Sequence, residues 1–327
     1  DATRVARRAL AALADPVRLG DKEIYTSASI GIAVANMRYT LPEELLRDAD
    51  VAMYRAKARG RQRFEIFDEQ LRQEALHTLD LESDLRRAIT RQEFEPHLQP
   101  IVSLVDGQVL GYEALLRWRH AKRGLLRPAD FLTVAEESGN VEQIDWQLYE
   151  QVCSAISKLH DPDAYVSINV SARHFRSPKL VHNLLGLLDA HHVPTRRVRI
   201  EITEGVLLAD PEQARATMLE LRASGVLTIL DDFGTGYSSL SYLHRFPLHA
   251  LKIDRSFVAE LNADLSGSCA AVIRAIRALA GSLGMEVIAE GIETPVQCEA
   301  LLRLECMIGQ GFLFDQPRPV PELIYAS

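Results

Sequence analysis

From Phe94 onward the chain repeats one unit, a short β-branched run followed by an amphipathic stretch, and this rhythm constrains the fold more than any other feature. The runs are HLQPIVSL, VLGYEALLRW, YVSINVS, VRIEITEG, LTILDDFG, ALKIDRSF, EVIAEGIE and MIGQGFLF. Between them lie helical patterns such as KLVHNLLGLLDAHH, EQARATMLELRASG and SCAAVIRAIRALAGSLG, several ending at Gly or before Pro, as helix C-termini do. Strands that alternate with helices imply parallel βα units. About eight of them over ~240 residues fit an α/β fold of the TIM-like (β/α)8 barrel type better than an open sheet. VDGQ rather than a helix joins the first two runs, so one antiparallel strand is expected.

The preceding part has a different rhythm. It reads as a helix over 3–14, a strand over Tyr25–Val34, a helix over Pro42–Arg59 and a short strand over Phe64–Phe67. Residues 1–68 therefore form an N-terminal α/β fragment with too few elements to cover both faces of a sheet. A charged linker helix is expected over 69–90.

No run approaches the ~18 apolar residues of a membrane span. The amphipathic start lacks the apolar region and cleavage site of a signal peptide. The expected location is cytoplasmic, with any membrane anchor or sensory segment placed upstream of residue 1. The four cysteines form no CxxC pair and read as reduced thiols rather than a disulfide frame or zinc site. Net charge is −8, with 12 Lys+Arg against 9 Asp+Glu in residues 1–67 and 25 against 36 in the rest. So acidic a surface argues against wrapping duplex nucleic acid, but not against a phosphorylated substrate held through metal ions.

The chemistry lies where the strands stop. Glu113, Asn169, Glu201, Asp231, Asp232, Asp254 and Glu290 sit at or beside strand ends, which in a βα barrel converge around one mouth. So many acceptors repel one another without cations, and hard oxygen ligands suit Mg²⁺ or Mn²⁺. The acid count suits two ions bridged by one carboxylate, naturally Asp231 with a second acid beside it. Two such ions polarise a phosphoryl group and activate water for in-line attack. Lys252, two residues before Asp254 and hence on the same strand face, would hold or deprotonate that water, or stabilise charge on the phosphate. Gly234 and Gly236 flank Thr235 in DDFGTGYSS and permit a mobile cover over the site.

Each residue taken singly has a plainer explanation. Glu204, Asp232 and Glu293 suit helix caps, Lys252 a solvated strand end, and the two glycines an ordinary βα turn. His191 and His192 suit a helix C-terminus, and Trp118 and Trp146 suit core or rim packing. The regular placement of acids at strand ends is what those explanations leave over. No HExxH, GxSxG or Walker loop is present.

The segments YEALLRW (112–118), INVSARHF (168–175), IEITEG (200–205), ILDDFGTGYSSL (229–240), LKIDRSF (251–257), VIAEGIE (287–293) and GQGFLFDQP (309–317) resemble the EAL domain. The resemblance covers residues 77–327 and implies hydrolysis of the bacterial second messenger cyclic di-GMP to linear pGpG with Mg²⁺ or Mn²⁺. It implies a first metal site from Glu113, Asn169, Glu201 and Asp231, and a second from Asp231, Asp232 and Glu290, directly or through water. Lys252 matches the lysine that contacts the attacking water, and Glu204 the glutamate that anchors the Asp232–Ser238 loop. Gln99, Arg117, Asp254, Glu293, Gln310 and Pro317 match positions around the bound dinucleotide. Arg117 suits that place because its planar fork fits phosphate oxygens. Departures are small: Leu98 stands where many members carry an aromatic, and Phe312 replaces a frequent Tyr.

SASIGIA (27–33) and LLRDADVAMYRAKARGRQRF (45–64) resemble the back half of a GGDEF (diguanylate cyclase) domain, without its signature motif or nucleotide-binding front. Cyclase activity is not expected, and an upstream cyclase or sensory region is. A homodimer through the barrel is implied by the resemblance alone. Against the phosphodiesterase stand a non-catalytic cyclic di-GMP receptor, which would lose a metal acid, Lys252 or the loop, and a general nuclease, which would need a basic groove.

Overall fold

The structure, a computed structural model, describes residues 2–325 apart from 15, 16, 20, 21, 25, 38, 160 and 235–239. The chain divides into two compact units, residues 1–84 and 85–327. The long helix Glu69–Arg91 runs through the division.

The second unit is a closed barrel of eight strands. They are β1 (Phe94–Ser103), β2 (Val109–His120), β3 (Tyr165–Asn169), β4 (Val198–Thr203), β5 (Leu227–Phe233), β6 (Ala250–Ile253), β7 (Glu286–Ala289) and β8 (Ile308–Gly309). Strands β2 to β8 run parallel in chain order, and β1 closes the ring antiparallel to both β2 and β8. The single antiparallel strand falls where VDGQ places it. Helices such as Val141–Ile156, Leu180–Ala190, Pro211–Ala223, Ser268–Leu283 and Pro295–Arg303 link the parallel strands. Gly284, left-handed at φ +68°, stops the fourth of these.

Strand alternation divides the barrel interior into two layers. Ile101, Tyr165, Ile229, Ala250 and Ile288 pack into one apolar cluster, joined by Ile308. Two residues nearer the mouth stand Gln99, Ser167, Asp231 and Lys252 on the same strands, and Glu290 and Gln310 one residue past theirs. Because side chains repeat their direction every second residue, the polar ring lies directly on an apolar floor. On β2 the same step runs from Gly111 to Glu113. A Cβ at Gly111 would lie 2.7 Å from the Tyr165 ring, so glycine is what admits that ring to the floor.

Two expectations shift. VLGYEALLRW does not end near Glu113: β2 runs on to His120, because its outer half pairs with a short strand, Gly124–Leu126. MIGQGFLF yields only Ile308–Gly309, since the chain then folds against Ile292, where a Cβ on Gly311 would lie 2.1 Å from the Ile292 carbonyl oxygen. Gly311→Ala is therefore expected to cost roughly 2–3 kcal/mol. It should lower the urea midpoint at constant slope, and an unchanged midpoint would contradict this packing.

In the first unit the strand expected over Tyr25–Val34 is reduced to Ile30–Ile32, with Tyr25 outside the described residues. It pairs in parallel with Phe64–Ile66, and the helix Pro42–Ala58 packs on it. Gly31 permits that packing: a Cβ there would lie 1.9 Å from the Ala49 carbonyl oxygen. Glu44 caps the helix start by accepting from the Thr40 and Leu41 amides, at 2.9 and 3.3 Å.

Candidate active site

The site is built around a buried cation. Every residue of β6 is buried, and Lys252 has no exposed surface. Its Nζ lies 2.9 Å from Glu113 Oε2, 2.7 Å from Glu201 Oε2 and 3.5 Å from Asp231 Oδ1, with Glu290 Oε1 also in contact. Burial works against the charge on this amine, but the four carboxylates outweigh it and hold the ammonium well above its usual range.

One ammonium does not neutralise four carboxylates. Burial, then repulsion from Glu113, pushes Glu201 well above the carboxylate range, and burial likewise raises Asp231. Burial also lifts Glu290 to about 8. Only Glu113 moves down: burial opposes its charge, but Lys252, Gln310 and Asn169 together overcome that. Three of the four acids are thus held above their usual range, as expected where negative charge exceeds the single ammonium.

The adjacent pair on β5 requires a local break. Successive strand residues face opposite sides, so Asp231 and Asp232 cannot both reach one mouth from a regular strand. The β5–β6 register shifts between Leu230 and Phe233, and Asp232 is left-handed at φ +55°. That conformation is unfavourable for a residue with a Cβ, least so for Asp and Asn. It brings oxygens of Asp231, Asp232 and Glu290 within 4.8 Å of one another. Gly234 follows at φ +101°, where a Cβ would lie 2.9 Å from the Phe257 ring.

Two groups of acids could each hold a cation: Glu113, Glu201 and Asp231, and then Asp231, Asp232 and Glu290. Asp231 belongs to both. Asn169 adjoins the first group, its Nδ2 donating to Glu113 Oε1 at 2.9 Å. Glu201 Oε1 is buried with no hydrogen-bond partner, an orphaned anionic oxygen of the kind that a metal ion satisfies. An all-oxygen donor set of this charge fits hard divalent ions.

A cleft of about 290 Å³ opens over Glu113, Asp231 and Glu290. Of the positions assigned to substrate, Gln99, Arg117, Glu293, Gln310 and Pro317 line it. Gln310 Nε2 donates to Glu113 Oε2 at 2.6 Å and to Glu290 Oε1 at 3.2 Å, tying the wall to the acids. Gln99 Nε2 donates to the Asp315 carbonyl at 3.2 Å, and His97 Nδ1 lies 3.4 Å from the Pro317 carbonyl.

Asp254 is placed differently. It lies one residue past the end of β6 at Ile253, and after burial and the Asp231 charge its own charge raises Asp232 further. Asp254 also caps the helix Arg255–Ala259, its Oδ1 accepting from the Ser256 amide at 3.0 Å. Glu204 opens the helix Glu204–Ala209 directly after β4. Thr235, Gly236 and Ser238 lie outside the described residues. Two cleft residues carry no strand-end signal: Arg255, a cation beside the acids, and Phe312, 54% exposed.

These features agree with the comparisons. The chain belongs to the EAL domain family, whose model matches residues 82–317, and the model "Diguanylate cyclase, GGDEF domain" matches residues 1–63. Among curated relatives, the bifunctional diguanylate cyclase/cyclic di-GMP phosphodiesterase MucR of Pseudomonas aeruginosa is 37% identical over 327 residues, 99% of this chain and 47% of MucR. The cyclic di-GMP phosphodiesterase NbdA of the same organism is 36% identical over 322 residues, 98% of this chain and 41% of NbdA. The chain thus spans less than half the length of either. A solved structure described as the PaMucR phosphodiesterase in complex with c-di-GMP aligns at TM-score 0.70 with 39% identity, covering 75% of this chain and 99% of that one.

Proposed function

We propose that the barrel hydrolyses cyclic di-GMP to linear pGpG with two divalent ions, Mg²⁺ or Mn²⁺. The carrying observation is that Asp231 is shared by two acid groups at the floor of the cleft, with Lys252 buried between them. The names of the relatives supply the substrate. In this reading Glu113, Asn169, Glu201 and Asp231 hold one ion, and Asp231, Asp232 and Glu290 the other. Two such ions would draw charge from the phosphoryl oxygens and lower the pKa of the attacking water. Lys252 orients that water through an Nζ–H and offsets negative charge as it builds. Water adds across one phosphodiester, one P–O bond forms and one breaks, and the ring opens. Arg117 and Gln310, with Gln99, Glu293 and Pro317, orient the dinucleotide, and Asp254 acts from the rim. Glu204 anchors the loop carrying Gly234, Thr235 and Gly236.

Residues 1–68 are assigned to the back of a GGDEF-type domain, 69–90 to a linker helix and 77–327 to the phosphodiesterase barrel. We further assign the protein to the cytoplasm, as a homodimer through the barrel that receives its input from an upstream region. No helix among the described residues is long and apolar enough to cross a membrane.

Incubation with cyclic di-GMP and Mg²⁺ or Mn²⁺, with products separated by chromatography, tests the reading. Metal-dependent pGpG is expected, suppressed by chelator. Tight binding with no product under either metal would make the barrel a receptor and overturn the proposal.

A further inference from the structure

Asn169 ends β3, and its two polar ends are both fixed. Its side-chain Nδ2 donates to Glu113 Oε1 at 2.9 Å, so the amide oxygen is the end available to a cation. Its main-chain carbonyl accepts a hydrogen bond from the Tyr149 hydroxyl at 3.0 Å. Tyr149 comes from the helix Val141–Ile156 and has no exposed surface. For packing alone, a phenylalanine would serve there.

The tyrosine ring is itself held. It stacks on His174, centroids 5.7 Å apart and planes 8° apart, and Trp146 meets it edge-on at 5.5 Å. His174 Nδ1 lies 3.1 Å from Asp145 Oδ2, which also accepts from Ser171 Oγ at 3.2 Å. Ser171 and His174 belong to INVSARHF, the segment that carries Asn169, yet neither lines the cleft. Burial, then the Asp145 charge, pushes the phenol well above its usual range, so the hydroxyl stays a donor.

We infer that Tyr149, its ring held by the His174–Asp145 pair, is a positioning residue that sets Asn169 as a ligand of the first metal ion. The inference rests on the two-metal reading above. The Asn169–Val170 peptide is held from two sides, Val170 N–H donating to the Glu201 carbonyl at 2.9 Å and Tyr149 donating to the Asn169 carbonyl, and a ligand that loses one such support loses affinity for its ion. The assembly therefore acts on the site from behind, through one hydrogen bond. Its contribution falls on metal affinity rather than on the dinucleotide, because Tyr149 lies outside the cleft lining.

The test is a double-mutant cycle read by Mn²⁺ binding, using calorimetry and electron paramagnetic resonance without substrate, alongside thermal unfolding of the same samples. Tyr149→Phe is expected to weaken Mn²⁺ binding about tenfold in the wild-type background. In an Asn169→Ala background the same change should leave Mn²⁺ affinity untouched while lowering the melting temperature as before. Unchanged affinity in Tyr149→Phe, or equal weakening in both backgrounds, overturns the inference in favour of a purely structural tyrosine. If Tyr149→Phe does not fold, His174→Gln keeps the hydroxyl but loosens the ring, with roughly threefold weaker Mn²⁺ binding expected and wild-type affinity overturning it. Wild-type protein that binds no Mn²⁺ overturns the metal reading and this inference together. Wild-type binding with an unaffected Tyr149→Phe overturns this inference alone.

Discussion

Asp231→Ala is expected to remove pGpG formation by at least about a thousandfold, equivalent to ~4 kcal/mol of barrier, while leaving the metal-free fold as stable as before or more so. The rate effect follows from geometry, since Asp231 is the residue common to both acid groups. Its loss disrupts both cation sites at once. The stability effect follows from charge. Burial already disfavours ionised Asp231, and the Glu113 charge opposes it further, so the metal-free chain carries this carboxylate at a cost. An unchanged or raised melting temperature in chelator, with lost turnover at millimolar Mg²⁺, would separate the role in chemistry from any role in folding. A rate within tenfold of wild type would remove Asp231 from the centre of the site.

Lys252→Met is expected to show the opposite pattern in the metal-free state. The ammonium is the buried cation among four carboxylates, and removing it leaves them crowded without a counter-charge. Breaking such a buried arrangement costs about 3–5 kcal/mol, reduced where the acids take up protons instead. The melting temperature in chelator should therefore fall by several degrees, and saturating Mn²⁺ should raise it by more than in wild type. If Lys252 acts on the attacking water as proposed, turnover should fall by about a hundredfold or more while cyclic di-GMP still binds. A metal-induced shift no larger than in wild type would show that Lys252 is not the internal counter-charge.

Much of the barrel was legible because its signals are local. β-branched runs, amphipathic stretches and glycine stops fall on the observed strands and helices, and VDGQ marks the antiparallel turn. The acid cluster was legible for a related reason: a parallel barrel gathers residues after its strands at one mouth whatever their distance in sequence. What was not legible depends on departures from regularity or on distant partners. Nothing in DDF announces that Asp232 turns left-handed, yet without that turn the adjacent acids would face opposite ways. Asp254 reads like the other acids, and nothing in LKIDRSF announces that its carboxylate also caps the helix that follows. Tyr149 looks like any core aromatic, since its role depends on a carbonyl brought to it by the fold. In the first unit, the SASIGIA run looks longer than the strand it forms, because only Ile30–Ile32 finds a partner in Phe64–Ile66.

The way the ring closes also has a bearing on synthesis. Strand β1 emerges early from the ribosome but finds β8 and the Arg318–Pro319 segment only much later, and Gln310 reaches Glu113 across 197 residues. Contacts this remote in sequence are slow to form and bear the full entropy of closing the intervening loop. A nascent chain that has not yet reached residue 310 therefore has all of the strand-end acids but lacks Phe312 and Pro317 of the cleft wall and the Gln310 amide that braces Glu113. A product truncated there is expected to be a sheet with two open edges, prone to association.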